Sequence, residues 1–429
     1  MAAAFSYYWL SEGDNNTSFF HACATARRWN SDIKILQRPN GDQCTSNPEE
    51  IKAIVVNYFS DLFTSRQTLR KEDILPYLNI IPNKVSLQHN EILFAPYMKL
   101  PGPSFRLTQI KLQAMMVSQQ LSFSTTGRLS NQILFMNAFN FGHFNEANNS
   151  TLITLIPIQK GAVKVTDFRP ISVIGVMAKV VSKAIVNRLQ QFLDEASLKL
   201  DMAKVYDKME WDFLDLIMKK LGFAELWVDR VLSLVRSARY CIRVNRDISD
   251  FFYPTRGLRQ GDLLSPYLFI ICTEWLSYTL KHYADLGRIE GIQISRRSPS
   301  ITHLLFADDC LIFMRIHSST VIAVKNVLQC YESISGQTVN YGKSKMALSR
   351  NCPTNIVDKV TNTLRVQVVP QLSKYLGLPI HFHRKKTATF MPLIDKLWNR
   401  IQAWQNCKLS IGGKEVLISA VLNVVPQFW

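Results

Sequence analysis

Acidic side chains are scarce in this chain: 33 Asp and Glu stand against 50 Lys and Arg, a formal charge of +17. A basic excess of that size points to a polyanionic partner, because each phosphate neutralised by Lys or Arg releases condensed counterions. A basic surface that is merely solvated is the competing reading, and charge alone does not separate the two. Paired metal-binding spacings are missing as well. Cys23, Cys44, Cys241, Cys272, Cys310, Cys330, Cys352 and Cys407 are scattered with no CxxC, and the histidines form no HxxxH or HExxH. That excludes the common zinc patterns. No apolar run reaches membrane-spanning length. Met1 to Trp9 lacks the basic start and cleavage site of a secretory leader. An intracellular protein, nuclear or cytoplasmic, with no membrane partner is expected.

What is present is a chain of 429 residues, 47% apolar, with a mean hydropathy of zero. That length predicts two or three packed sub-domains rather than one. Ile51, Ile54, Val55, Tyr58 and Leu62 recur at helical spacing and predict a helix over Glu50–Leu62. Residues 101–150, rich in Gln, Ser, Asn and Phe, have poor periodicity and read as weakly folded. From Thr151 the pattern sharpens: a strand over Leu152–Ile158, then an amphipathic helix over Met177–Phe192 with Lys179, Lys183, Asn187 and Arg188 among its polar positions. A strand is expected at Leu198–Met202, a helix over Trp211–Leu221, and a hairpin over 238–253. A glycine-bearing turn then leads into a helix from about Leu264 to His282. A second hairpin carries Leu304 to Phe306, an Asp308-Asp309 tip, and Leu311 to Phe313, and the helix Val321–Tyr331 follows. This order fits an α+β arrangement, an antiparallel sheet with helices on one face.

The informative constellation is Asp201 at one strand end and Asp308-Asp309 at the tip of a hairpin about a hundred residues later. Adjacent aspartates in an apolar hairpin are costly unless a cation compensates them. Magnesium, with manganese as an alternative, suits carboxylate oxygens. Two such ions about 4 Å apart would clamp the attacking and leaving oxygens of a nucleotidyl transfer.

Around these residues the sequence resembles a known family. Phe306-Ala307-Asp308-Asp309 is similar to the [FY]xDD box of reverse transcriptases. Leu200 to Asp207, followed by Trp211, resembles the LDxxKAxDxVxW block of plant LINE-type (non-LTR) retrotransposon polymerases. Arg256 to Pro266 resembles their RGLRQGDPLSP block, Phe168 to Ser172 their FRPIS block, and Tyr375 to Pro379 their YLGLP block. Glu12 to Asp14 and Phe19 to His21 resemble the segment that precedes the polymerase in the same elements. The resemblance implies a right-hand polymerase fold with a ferredoxin-like palm. It implies RNA-directed DNA polymerisation on an RNA template and a DNA primer with deoxynucleotides.

The resemblance also distributes roles. Asp201, Asp308 and Asp309 would be the metal ligands, and Tyr206 the aromatic gate that collides with a ribose 2′-hydroxyl. Gln260 and Gly261 would lie under the incoming nucleotide, with glycine allowing close approach. Arg169 would grip the triphosphate through its planar fork, and Lys343 would protonate pyrophosphate. Tyr375, Leu376 and Gly377 would form the primer grip.

Departures from the family are equally specific. Relatives carry an SPNQxAFVxGR block where here Ser197 runs directly into Leu198, Leu263 replaces a proline, and Val205 replaces an alanine. An upstream endonuclease is not part of this chain. The expected division is a helical N-terminal extension (1–100), a degenerate fingers region (101–197), a palm (198–385) and a partial thumb (386–429). The incomplete fingers predict a degenerate or truncated copy with impaired synthesis. The rival expectation is a catalytically inactive nucleic-acid-binding remnant.

Overall fold

The computed structural model describes residues 32–41, 44–94, 146–158, 161–193, 206–245, 247–293, 299–306, 309–342, 344–348, 352, 354–369, 374–375 and 378–379, with isolated positions between 391 and 402. The strand expected at 198–202 and the irregular stretch over 101–145 lie outside the described residues. The chain divides into two compact units. One comprises residues 33–344 with 353–366, the other residues 1–32, 345–352 and 367–429.

The larger unit begins with a short hairpin, β1 (Leu36–Gln37) and β2 (Cys44–Thr45), followed by helix α1 (Pro48–Leu62). Asn47 starts the helix by accepting the Glu49 N–H on its side chain, Pro48 has no N–H to satisfy, and Glu49 and Glu50 sit at the positive helix end. Ile51, Val55 and Phe59 are buried along one face, so the expected helix is present and extends slightly further N-terminally. Arg38 and Thr45 donate to Glu50 at 3.0 and 2.6 Å, fastening the hairpin to the helix.

A four-stranded sheet packs on α1. Its strands are β3 (Ser150–Pro157), β4 (Phe168–Ile174), β5 (Arg239–Val244) and β6 (Asp247–Ile248), in the order β4-β3-β5-β6. The β3–β4 and β5–β6 pairs are antiparallel, but β3 and β5 run parallel, with Ile153 beside Ile242. The expected purely antiparallel sheet is therefore corrected to a mixed one. Alternating hydrophobicity is blind to strand direction, whereas the long helical crossover between β3 and β5 is what a parallel pair requires. Ile153, Leu155, Tyr240, Ile242 and Val244 point inward and pack with Phe59 and Phe63.

The second and larger core is helical. It gathers α2 (Lys71–Ile74), α3 (Leu87–Phe94), α4 (Val176–Leu193), α5 (Trp211–Lys220), α6 (Glu225–Arg236), α7 (Ser265–Asp285) and α8 (Ser318–Ser335). Trp211, Leu214, Ile217 and Leu221 are buried as their spacing predicts, and Trp275 stacks on Tyr331 at 5.9 Å. Arg188 is a correction. Although a polar position of an amphipathic helix, it is 1% exposed, donates to the Leu93 carbonyl and lies over the Trp227 ring. The last carbonyls of a helix lack internal donors, and Arg188 supplies one to α3.

Strands β7 (His303–Phe306) and β8 (Asp309–Ile312) form the second expected hairpin, with Phe306 opposite Asp309. Asp309 opens β8 rather than sharing the expected tip, and residues 307 and 308 lie outside the described residues. Helix α8 stops at Gly336, whose φ of 73° is the left-handed conformation that ends helices. Helix α9 (Thr354–Leu364) packs on α8 in the same unit. In the smaller unit β9 (Lys345–Ala347) pairs in parallel with β10 (Gln367–Val369). There β11 (Lys374–Tyr375) and β12 (Leu378–Pro379) form a tight antiparallel hairpin. Among the described residues no helix is long and apolar enough to cross a membrane.

Hydrogen bonds from Arg38 and Thr45 hold the Glu50 carboxyl down at about 2. A carboxyl lowered in the folded state stabilises fully above its unfolded value and loses that contribution as pH falls through the folded value. Glu50→Gln is therefore expected to lower the urea midpoint at pH 7 and to flatten its decline between pH 5 and 2. Parallel acid titrations of both proteins check this, and identical slopes would remove Glu50 from the acid response.

Candidate active site

The turn Arg256–Asp262 is the structural centre of the candidate site. It lies between the sheet and the helical core, and its backbone is hydrogen-bonded to both. Gly257 N donates to Met209 O at 2.8 Å and Leu258 N to Tyr206 O at 2.6 Å, while Trp211 Nε1 donates to Gly257 O at 2.7 Å. On the other side Ser172 N, on the free edge of β4, donates to Gln260 O at 2.8 Å. Thr255 N and Arg256 N both donate to Phe63 O, at the end of α1. Buried main-chain groups need internal partners, and these bonds supply several of them while holding three segments in register.

Glycine is required at two of these positions. Gly257 has φ 93°, and a Cβ there would come within 2.6 Å of Asp207 O. Gly261 has φ 111°, and a Cβ would approach Ser172 O to 3.1 Å and the Ile171 Cγ2 methyl to 3.9 Å. Positive φ combined with close backbone approach leaves no room for a side chain.

The charged residues of the turn are buried and paired. Arg259 bonds Asp262 at 2.8 Å and also donates to the Asn149 side chain, whose Nδ2 donates onward to Leu234 O at 2.8 Å. Arg256 donates to Leu62 O at 2.9 Å and faces Glu210 at 3.4 Å, and Ser65 donates to the same carboxylate at 2.7 Å. Burial pushes the Glu210 carboxyl up, against the hydrogen bonds from Ser65 and Arg256. Removing one partner of such a pair strands a charge away from water, which costs about 3–5 kcal/mol. Sequence reasoning assigned no role to Arg256, Arg259, Asp262, Glu210 or Asn149. The available signal was the cluster of charges within an otherwise apolar stretch.

The expected site residues fall into three groups. Gln260 and Gly261 lie in the turn, the main chain of Tyr206 is hydrogen-bonded to it through Leu258, and Arg169 lies on β4, the strand that the turn meets at Ser172. Arg169 lies on β4 on the same face as Ile171, and its Nε is buried without a hydrogen-bond partner among the described residues. Tyr206 is 5% exposed, with its ring edge-on to Phe269 at 5.7 Å, inside the helical core. For two others only the strand position is described: Asp309 at the start of β8, and Tyr375 in β11, opposite Leu378. Asp201, Asp308, Lys343, Leu376 and Gly377 lie outside the described residues.

Gly257 supplies a direct test of the frame. Gly257→Ala combines left-handed strain with a backbone clash and is expected to cost about 3 kcal/mol or more. Gly287, also at positive φ but with open space around it, should cost only about 1 kcal/mol on the same change. Urea denaturation of the two variants distinguishes them, and equal losses would contradict the tight docking on Asp207.

The sequence is similar to known proteins. Residues 194–380 match the family described as reverse transcriptase (RNA-dependent DNA polymerase). An uncharacterized mitochondrial protein of Arabidopsis thaliana is 62% identical over 13% of this chain and 46% of its own length. The Transposon TX1 uncharacterized 149 kDa protein of Xenopus laevis is 20% identical over 98% of this chain and 34% of its own. A retrovirus-related Pol polyprotein from a type-2 retrotransposable element of Drosophila melanogaster is 24% identical over 44% and 20%. The chain spans less than half the length of each of these relatives. Residues 194–380 are thus a reverse transcriptase domain, in a chain whose relatives include retrotransposon proteins.

Proposed function

We propose that this chain is the polymerase region of a plant LINE-type (non-LTR) retroelement and carries out RNA-directed DNA synthesis. It would extend a DNA primer on an RNA template with deoxynucleotides. The observation that carries this reading is the junction at Arg256–Asp262, which joins Ser172 of the FRPIS strand to the segment just after Asp201. Three blocks that the family uses around one nucleotide are thereby neighbours. In this reading β3 and β4 belong to the fingers, β5, β6 and the hairpin β7–β8 to the palm, and residues 386–429 to a partial thumb.

Metal ligation is assigned to Asp201, Asp308 and Asp309. The donor chemistry fits magnesium or manganese: consecutive aspartates offer only hard oxygen ligands, and Asp309 opens β8 opposite Phe306. When bound, such ions stabilise charge on the attacking and leaving oxygens of the transferred phosphate. The remaining work belongs to side chains. Arg169 would hold the triphosphate with its fork, the buried Nε positioning the guanidinium. Gly261 would let the sugar approach the main chain, Gln260 would line that floor, and Lys343 would give a proton to departing pyrophosphate. Tyr206, fixed against Phe269, would present its bulk to the 2′ position, and Tyr375, Leu376 and Gly377 would position the primer end.

The missing block between Ser197 and Leu198 favours a second reading, an inactive nucleic-acid-binding remnant. Reactant misplacement of about 1 Å can cost on the order of a hundredfold in rate. Primer extension on poly(rA)/oligo(dT) with magnesium separates the two. Synthesis by the unmodified chain that falls at least about a hundredfold in Asp308→Asn supports the polymerase. No synthesis in either, with rescue on inserting the missing block from an intact relative, supports the remnant. Tyr206→Ala should admit ribonucleotides into any product, while Tyr206→Phe retains discrimination. Equal ribonucleotide incorporation in all three proteins would place the sugar gate elsewhere.

A further inference from the structure

Helix α8 ends against other parts of the larger unit. Ser335 O accepts the Glu210 N–H at 3.0 Å, Ile334 O accepts the Gln67 side chain at 3.2 Å, and a Cβ on Gly336 would meet Lys208 O at 2.5 Å. The chain leaving Gly336 is therefore seated on the segment that follows Tyr206, and it runs directly into the loop that carries Lys343. Two side chains hold that loop from different elements. From α8, Glu332 accepts the Val339 N–H at 2.6 Å on one oxygen and the Tyr341 hydroxyl at 3.4 Å on the other. From the segment after Tyr206, Lys208 donates to the Thr338 hydroxyl at 3.0 Å. Burial and the Arg256 charge push the Lys208 amine down, and Asp207 and Glu332 oppose them. Further along, the loop closes on itself: Ser344 donates to Asn340 O through its N–H at 2.9 Å and its hydroxyl at 2.8 Å. That turn spans Lys343 in sequence.

Glu332 occupies an unfavourable place for an acid. A helix C-terminus carries partial negative charge, so a carboxylate in the last turn is mildly destabilising. Nor does the helix need it as a cap, since the Gly336 N–H is taken by the main-chain carbonyl of Glu332. Its side-chain oxygens instead serve residues seven and nine positions further on. An N–H bond to a carboxylate is among the stronger hydrogen bonds, so the local cost is offset only by what it fixes in the loop. We infer that Glu332 and Lys208 are positioning residues, which hold the loop of Lys343 in register with the segment of Tyr206. Both act through the proton donor proposed above for Lys343, on which this assignment rests, and neither is assigned a contact with substrate. The sugar gate and the proton donor, 137 positions apart in sequence, are thereby mounted on one rigid joint.

Tryptic cleavage after Lys343 under native conditions, followed by mass spectrometry on the full chain, reports the hold of the two tethers without requiring synthesis. Glu332→Ala should speed that cleavage about tenfold, as loss of a charge-assisted bond implies, and Lys208→Met should speed it severalfold. Glu332→Gln keeps an acceptor for Val339 and a partner for Tyr341, so it should be cleaved like the unmodified chain. Unchanged cleavage in Glu332→Ala and Lys208→Met overturns the tether. A parallel rise at every tryptic site also overturns it, because the change would then be general loosening. Primer extension on the same preparations gives the functional arm. Glu332→Ala should lower kcat about tenfold at constant KM for the deoxynucleotide, and should flatten the fall of the rate at alkaline pH that a lysine acid imposes. Glu332→Gln should restore both, and Glu332→Ala should add nothing in a Lys343→Leu background. A loss that persists in that background overturns the positioning role. Lys343→Leu without effect on synthesis sinks the proton-donor reading instead, and cleavage governed by Glu332 without synthesis in any preparation sinks the polymerase reading while leaving the tether standing.

Discussion

The buried turn Arg256–Asp262 has to satisfy its polar groups without water, and the arrangement of the larger unit follows from how it does so. Its backbone is used on both sides, by Tyr206 and Met209 of the helical core and by Ser172 at the free edge of β4. An open strand edge is a liability in a sheet, and here the turn covers that edge at Ser172, on the strand that carries Arg169. Two glycines make the approach close enough, and two buried ion pairs, Arg259–Asp262 and Arg256–Glu210, compensate the charges that the turn brings inside. Each element alone would be unfavourable. Together they hold segments from residues 63, 149, 172 and 206 against one short stretch of chain.

This frame also fixes the residues proposed to lie around the nucleotide. Gln260 and Gly261 are held from below by the main chain, and Tyr206 is held by core packing against Phe269. The sugar-gate role assigned to Tyr206 therefore rests on a ring whose position is fixed by burial, a property that sequence spacing could not supply. Arg169 differs from the other arginines of the site. Arg256 and Arg259 are committed to carbonyls or carboxylates, whereas the buried Nε of Arg169 has no hydrogen-bond partner among the described residues.

The basic excess of the chain also has a place in the structure. Much of it is paired or buried, as at Arg38, Lys71, Arg188 and Lys219.

Local chemistry made much of this molecule legible in the sequence. The helix after Asn47-Pro48, the helix burying Trp211, Leu214 and Ile217, and the two hairpins at 239–248 and 303–312 follow from caps, periodicity and turn residues acting within a few positions. So does the family resemblance, because its motifs are contiguous blocks. The tertiary structure decided what depends on residues far apart. It made β3 and β5 parallel, since alternation is the same in both directions; it drew Arg188 inward, since only the fold placed the bare carbonyl of Leu93 beside it. It turned the charges of Arg256, Arg259 and Asp262 into a buried frame, since their partners Glu210 and Asn149 lie 46 and 110 residues away. The sequence by itself determined which chemical groups were available and which short segments would be helix or strand; long-range burial, which rewards only groups satisfied in three dimensions, decided which of them meet.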